Sequence, residues 1–150
     1  MGLDMYLTAK KFVSDFDFKP EQSKINGEIK QALGIQPEEY GYIYVEMEVA
    51  YWRKANQIHS WFVENVQKGV DDCGQYEVSR EDLNSLFELC KEVVKTKNTS
   101  LLEPKGGFFF GSTDVDDWYF DQLKETIGTL SKIVNDVRLT DCSFYYHSSW

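Results

Sequence analysis

The chain reads as one α+β domain, a small and mainly antiparallel sheet packed against three helices. Three observations predict this. Residues 3–9 and 42–51 alternate apolar and polar side chains, the period of a half-buried strand. Three later segments repeat apolar residues at spacings of three and four, the period of a helix with one buried face. Regular crossover helices do not separate the strands in order, so a doubly wound parallel sheet is disfavoured. With 150 residues and neither an internal repeat nor a linker, the expectation is a single domain with a real core.

In the first segment Leu3, Met5 and Leu7 face one way and Asp4, Tyr6 and Thr8 the other. Residues 12–24 lose this order, mixing aromatics with charge and turn formers. A short helix is expected next, with Ile25, Ile29 and Leu33 on one face and Gly34 as its stop, before Pro37 closes the segment. Gly27 weakens it. In the second strand Ile43, Val45, Met47 and Val49 share one face, and Tyr42, Tyr44, Glu46 and Glu48 the other.

This strand is expected to run directly into a helix over Trp52–Lys68. Its stripe is Ala55, Ile58, Phe62 and Val66, and Gly69 ends it. Trp61 lies roughly 100° from the stripe's centre, so it should be partly exposed unless something covers it. After the turn VDDCG comes a short extended piece. Ser79 then caps a helix, with Asp82 three residues on, a stripe of Leu83, Leu86, Phe87, Cys90 and Val93, and an end near Lys97–Asn98. Residues 99–106 read as a loop and Phe108–Phe110 as a short strand or extended segment. The last helix is expected to begin near Thr113–Asp114. Phe120, Leu123, Ile127, Leu130, Val134 and Val137 form its stripe, and CSFYYHSSW closes the chain as a strand.

Charge narrows the function. Sixteen basic against 25 acidic residues give a formal charge of −9. That argues against direct nucleic-acid binding, which needs Lys and Arg to displace counterions, and against docking on an anionic membrane. A basic protein partner suits it better. The start MGLDMYLTAK lacks a basic, then apolar, leader, and no apolar run is long enough to span a bilayer. Three cysteines without a CxxC spacing fit a reducing cytoplasm.

Four places in the chain suggest chemistry. GGFFFGSTDVDD (106–117) has the glycine spacing of a phosphate loop, but Ser112 stands where the lysine of GxxxxGK[ST] belongs. Asp114, Asp116 and Asp117 would occupy the helix start and repel phosphate, so the segment reads as a buried aromatic strand, a glycine turn and an acid-capped helix. With Asp71 and Asp72 these aspartates form an acidic rim suited to a cation or a basic partner. No zinc, metal or cofactor motif accompanies them.

The second place is WRKANQIH. If helical, Trp52, Asn56 and His59 lie on one side, with Arg53 and Lys54 cationic at the helix start; this edge could grip an anionic or aromatic ligand. Third is Cys73, whose neighbours Asp71 and Asp72 disfavour the thiolate that a nucleophile paired with His59 would need. Fourth are the aromatics expected to be exposed: Tyr42, Tyr44, Trp61, Trp118, Tyr145 and Trp150. Gathered on one surface they would form a protein-binding patch; scattered, they would fill the core.

MGLDMYL, YWRKANQIHSWFVENVQKGVDDCGQY, GFFFGST and YYHSSW together resemble a small family of bacteriophage and prophage proteins, some of them labelled phosphoglycerate kinase. The block from Tyr51 to Tyr76 is its most specific part, and residues 12–40 carry little of it. The kinase label does not suit a chain this short without a nucleotide motif. The resemblance carries over no residue role. It implies a setting, a small phage-encoded protein in a bacterial cytoplasm. The expected function is therefore an accessory protein that binds and inhibits a host or anti-phage defence factor through an acidic, aromatic-containing surface. The alternative is a small-ligand protein or enzyme for a nucleotide-like molecule, with its site at the Trp52–His59 helix; Trp61, on the other side of that helix, is a further candidate for binding a ligand or partner.

Overall fold

A computed structural model of the chain describes residues 2–150. It is a single α+β domain. The order is β1 (Asp4–Val13), α1 (Pro20–Ala32), β2 (Ile43–Arg53), α2 (Asn56–Asn65), β3 (Tyr76–Val78), α3 (Arg80–Thr96), α4 (Asp117–Asn135) and β4 (Cys142–Ser149). The sheet order is β2-β1-β4-β3, and every neighbouring pair is antiparallel. β2 is therefore a long edge strand, and β1 and β4 are central.

Alternation on the central strands sets the core. Leu3, Met5, Leu7 and Ala9 are fully buried, and Phe144, Tyr146 and Ser148 of β4 point the same way. α2, α3 and α4 supply the facing layer with Ile58 and Phe62, Leu83, Leu86, Cys90 and Val93, and Leu123, Leu130 and Ile133. α3 starts on the expected capping box: Ser79 accepts from the Asp82 amide, and Asp82 accepts from the Ser79 amide.

Several expectations are corrected. β1 runs on to Val13, because its distal half pairs with β2 out to Val13↔Ile43. β2 does not alternate in one phase. Leu7 faces Ala50 and Thr8 faces Glu48, so Val49 is an extra residue, a β-bulge. Beyond it the phase flips, so Ala50 and Trp52 enter the core. The strand then continues to Arg53 and Lys54 takes a left-handed φ of 55°, so α2 starts only at Asn56. Its buried stripe of Ala55, Ile58 and Phe62 is as expected, and Gly69 closes the following turn at φ 82°.

α1 inverts the expected face. Asn26 and Lys30 are buried, while Ile25 and Leu33 are exposed. The reason is backbone satisfaction. Asn26 donates to the carbonyls of Val13 (3.1 Å) and Gly41, and Lys30 donates to those of Pro37 (3.0 Å) and Tyr40. The helix is held by polar pins on the loops that flank it, not by an apolar stripe.

α4 begins at Asp117, later than expected, with Asp116 as its N-cap accepting from the Tyr119 amide at 3.1 Å. Its buried stripe is turned by about one position, to Tyr119, Gln122, Leu123, Thr126, Leu130 and Ile133, leaving Val137 exposed. Polar tips are matched there. Tyr119 donates to the Leu102 carbonyl at 2.8 Å, and the Thr126 hydroxyl accepts from the Trp52 indole at 3.0 Å. Burial pushes the Tyr119 phenol up to about 12 and the Cys90 thiol likewise to about 12. Phe108–Phe110 is a turn, not a buried strand. Phe110 N–H bonds the Gly107 carbonyl, and Phe108 stands free in solvent.

Among the described residues, no helix is long and apolar enough to cross a membrane.

Candidate binding surface

Because the helices cover only one side of the sheet, its alternate residues form a second, open face. β1 contributes Asp4, Tyr6, Thr8, Lys10 and Phe12. Their cross-strand partners are Arg53, Tyr51, Glu48, Glu46 and Tyr44 on β2, and Ser149, His147, Tyr145 and Ser143 on β4. Glu77 of β3 sits opposite Tyr145. Every one of these side chains is half-buried or exposed.

The face has two aromatic clusters. At one end Tyr6 stacks on His147 (4.8 Å between centroids) and leans on Tyr51 (5.3 Å); the Tyr51 hydroxyl donates to Asp4. At the other, Phe12, Tyr42 and Tyr44 touch one another at 5.1 to 5.7 Å. Lys10 lies over the Tyr44 ring at 4.5 Å and pairs with Glu46 at 3.1 Å. A shallow hollow of about 310 Å³ opens beside this second cluster, lined by Lys10, Phe12, Tyr44, Asp141, Ser143 and Tyr145. Four carboxylates (Asp4, Glu46, Glu48 and Glu77) stand against two cations (Lys10 and Arg53), and neither Glu48 nor Glu77 has an ion-pair partner among the described residues. Aromatic rings rimmed by net negative charge suit cationic side chains, which find both π-faces and carboxylates there.

Of the aromatics expected at the surface, Tyr42, Tyr44 and Tyr145 therefore share this face. Tyr6, Phe12, Tyr51 and His147 complete it and were missed, because only the strand order brings them together. The others are elsewhere. Trp61 is 8 % exposed, covered where α2 meets residues 100–105. Trp118 projects from the start of α4, and Trp150 donates to Asp71 at 3.1 Å.

The WRKANQIH residues separate instead of converging. Trp52 is a core residue on β2, and Arg53 lies at the strand's end with its Nε 3.9 Å from Asp4. Lys54 is exposed and packs against Gly2 and Gly111. Asn56 pins the aromatic loop, donating to the carbonyls of Phe110 (3.1 Å) and Ser112 (2.8 Å) and accepting from the Lys105 amide (3.0 Å). His59 is 1 % exposed and bridges the Tyr146 hydroxyl (Nδ1, 2.7 Å) and Asp71 (Nε2, 3.0 Å). Both its ring nitrogens are thus occupied, which leaves none to activate Cys73. Burial pushes the Tyr146 phenol well above its ordinary range. The tyrosine is completely enclosed, and this Tyr–His–Asp chain ties β4 to α2 and to the turn that carries Asp71.

The acidic rim is likewise divided. Asp71 is held by His59 and Trp150, and Asp72 accepts from the Gly74 amide (2.9 Å) and the Tyr76 hydroxyl (3.0 Å). Asp114 pairs with Ser112, Asp116 caps α4, and Asp117 points to solvent. Among the described residues no three His, Cys, Asp or Glu side chains gather as metal ligands would.

No family model matches the chain, and neither a curated protein nor a solved structure matches it.

Proposed function

We propose that this is a phage-encoded accessory protein of the bacterial cytoplasm that binds and inhibits a basic host or anti-phage defence protein through its open sheet face. The observation that carries the reading is the set of exposed Tyr42 and Tyr44, half-buried Tyr145 and their neighbours, with Glu48 and Glu77 free of ion pairs among the described residues, on the side of the sheet that no core helix covers. Monomeric proteins seldom leave so many rings together on a surface, and interface centres are enriched in tyrosine. The overall charge of −9 steers a basic partner toward the molecule and would mask a surface that the partner uses for nucleic acid.

A pull-down from nuclease-treated host lysate, repeated with Tyr44→Ala/Glu48→Lys/Tyr145→Ala, tests this. The expected result is one basic protein retained by the wild type, released as salt rises and lost with the triple variant at unchanged melting temperature. Retention of the same protein by both forms, or no basic protein with either, would overturn the reading.

A further inference from the structure

The outer side of β2 carries a row of unpaired backbone groups. The Lys54 amide donates to the Leu3 carbonyl at 2.8 Å, one residue beyond the Arg53↔Asp4 pair. That pair is therefore of the widely spaced kind, and the amide and carbonyl of Arg53 point away from β1. Hydrogen-bonding direction alternates together with side-chain direction along a strand. The backbone groups of the other open-face residues, Tyr51, Glu48, Glu46 and Tyr44, thus point outward as well. Among the described residues no further strand pairs with this row, and no turn or loop backbone bonds to it. Eleven residues make β2 long for an edge left open.

This edge complements itself in one register. Val49 packs against the core and Ala50 is buried, so the two successive residues at the bulge share the covered side. A regular strand laid along β2 would therefore fall out of phase at the bulge. A second copy run antiparallel about the bulge stays in phase throughout. Val49 then lies opposite Ala50 of the second copy, Glu48 opposite its Tyr51, Met47 opposite its Trp52 and Glu46 opposite its Arg53. Both side chains of every such pair lie on one face. Every other register that spans the bulge sets an open-face residue against a covered-face one.

Two features of the paired residues favour this arrangement. Glu46 and Arg53 oppose each other twice, once on either side of the axis. Both are exposed, and within one chain each has a single ion-pair partner among the described residues, Lys10 at 3.1 Å and Asp4 at 3.9 Å. Met47 is 38 % exposed although it lies on the covered side. The end of β2 and α4 leave a cleft of about 480 Å³ beside Trp52. The register sets Met47 of one copy against Trp52 of the other, next to that cleft, where a flexible thioether finds an aromatic wall.

We propose that two copies of this chain join β2 to β2 about a twofold axis through the Val49 bulge, making one continuous antiparallel sheet. The contact is isologous, so it closes at a dimer. It leaves the open face of each copy uncovered and sets the two faces side by side.

Sedimentation velocity over a concentration series tests the proposal. The wild type is expected to shift from monomer to dimer as concentration rises. Glu46→Arg and Arg53→Glu should each weaken the dimer at least tenfold, since each sets like charges together twice. An equal mixture of these two variants should form a heterodimer, because both junctions then pair opposite charges. Met47→Lys should also weaken the dimer at least tenfold, whereas Tyr145→Ala, on the open face, should leave it unchanged. A wild type that stays monomeric at every concentration, a dimer that these three β2 substitutions leave intact, or charge variants that fail to pair on mixing overturns the proposal.

Discussion

The two faces of the sheet are built from the same strands, residue by alternate residue, and they are built differently. On the covered face Leu3, Met5, Leu7, Ala9 and Phe144 carry no polar atom beyond the backbone, and Tyr146 and Trp52, which do, have partners for theirs. On the open face nearly every ring has a polar handle or a charged neighbour: Tyr51 on Asp4, Tyr6 on His147, Tyr44 under Lys10. The first arrangement excludes water, and the second tolerates it until something displaces it. Aromatic content alone is therefore a poor guide to the core of this chain. The hydroxyl of a tyrosine lets it serve either side, and its strand register decides which.

The largest expected effect that would break this comparison is on the covered side. Leu7→Ala should cost about 2–5 kcal/mol in chemical denaturation, since the side chain is fully enclosed. A loss no greater than that of an open-face substitution would mean that the helical layer does not pack as described. Thr126→Val keeps the shape and removes the acceptor of the buried Trp52 indole; a loss of about 1–3 kcal/mol is expected, read from the same curves.

Alkaline titration sharpens the contrast further. Tyr119 is raised to about 12 and Tyr146 is raised too, both chiefly by burial, whereas in the unfolded chain a phenol ionises near 10. The folded state thus holds protons that the unfolded state has released. Stability should be intact below pH 10 and fall as the pH rises toward 12. Tyr119→Phe/Tyr146→Phe should flatten that fall, and an unchanged slope would show that other groups govern it.

The smallest expected change is on the open side. Tyr44→Ala and Tyr145→Ala should each shift stability by only about 0.5 kcal/mol while removing partner binding. A melting temperature lowered as far as by Leu7→Ala would make this face structural.

Much of this frame was legible in the sequence. The β1 alternation, the capped α3 and the left-handed Gly69 followed from local rules that act over a few residues. The misses share a cause, which is partners distant in sequence. Asn26 and Lys30 are buried because loop carbonyls await them, Gln122 because β2 lies across α4, and Thr126 because the Trp52 indole needs an acceptor. Tyr6 and His147 become neighbours only through β1–β4 pairing across most of the chain. No spacing pattern records such contacts. The acidic segments looked like one rim because they share a composition, yet Asp71, Asp72 and Asp116 each serve a separate local bond.

Val49 has a consequence for how this molecule could change over generations. It works like a splice between two lengths of strand that keep different time. Residues 43–48 are in step with the distal half of β1, and residues 50–53 with the proximal half. Removing that one residue would put the whole strand in a single rhythm. Because Glu48 and Ala50 already pair with the adjacent Thr8 and Leu7, Tyr51 and Arg53 would stay outward and Trp52 would keep its place beside Thr126; what the strand would lose is the local bend and extra twist of the bulge. The presence of residue 49 therefore sets the curvature of the sheet edge rather than which side chains face the core, while its apolar character serves the core it packs against.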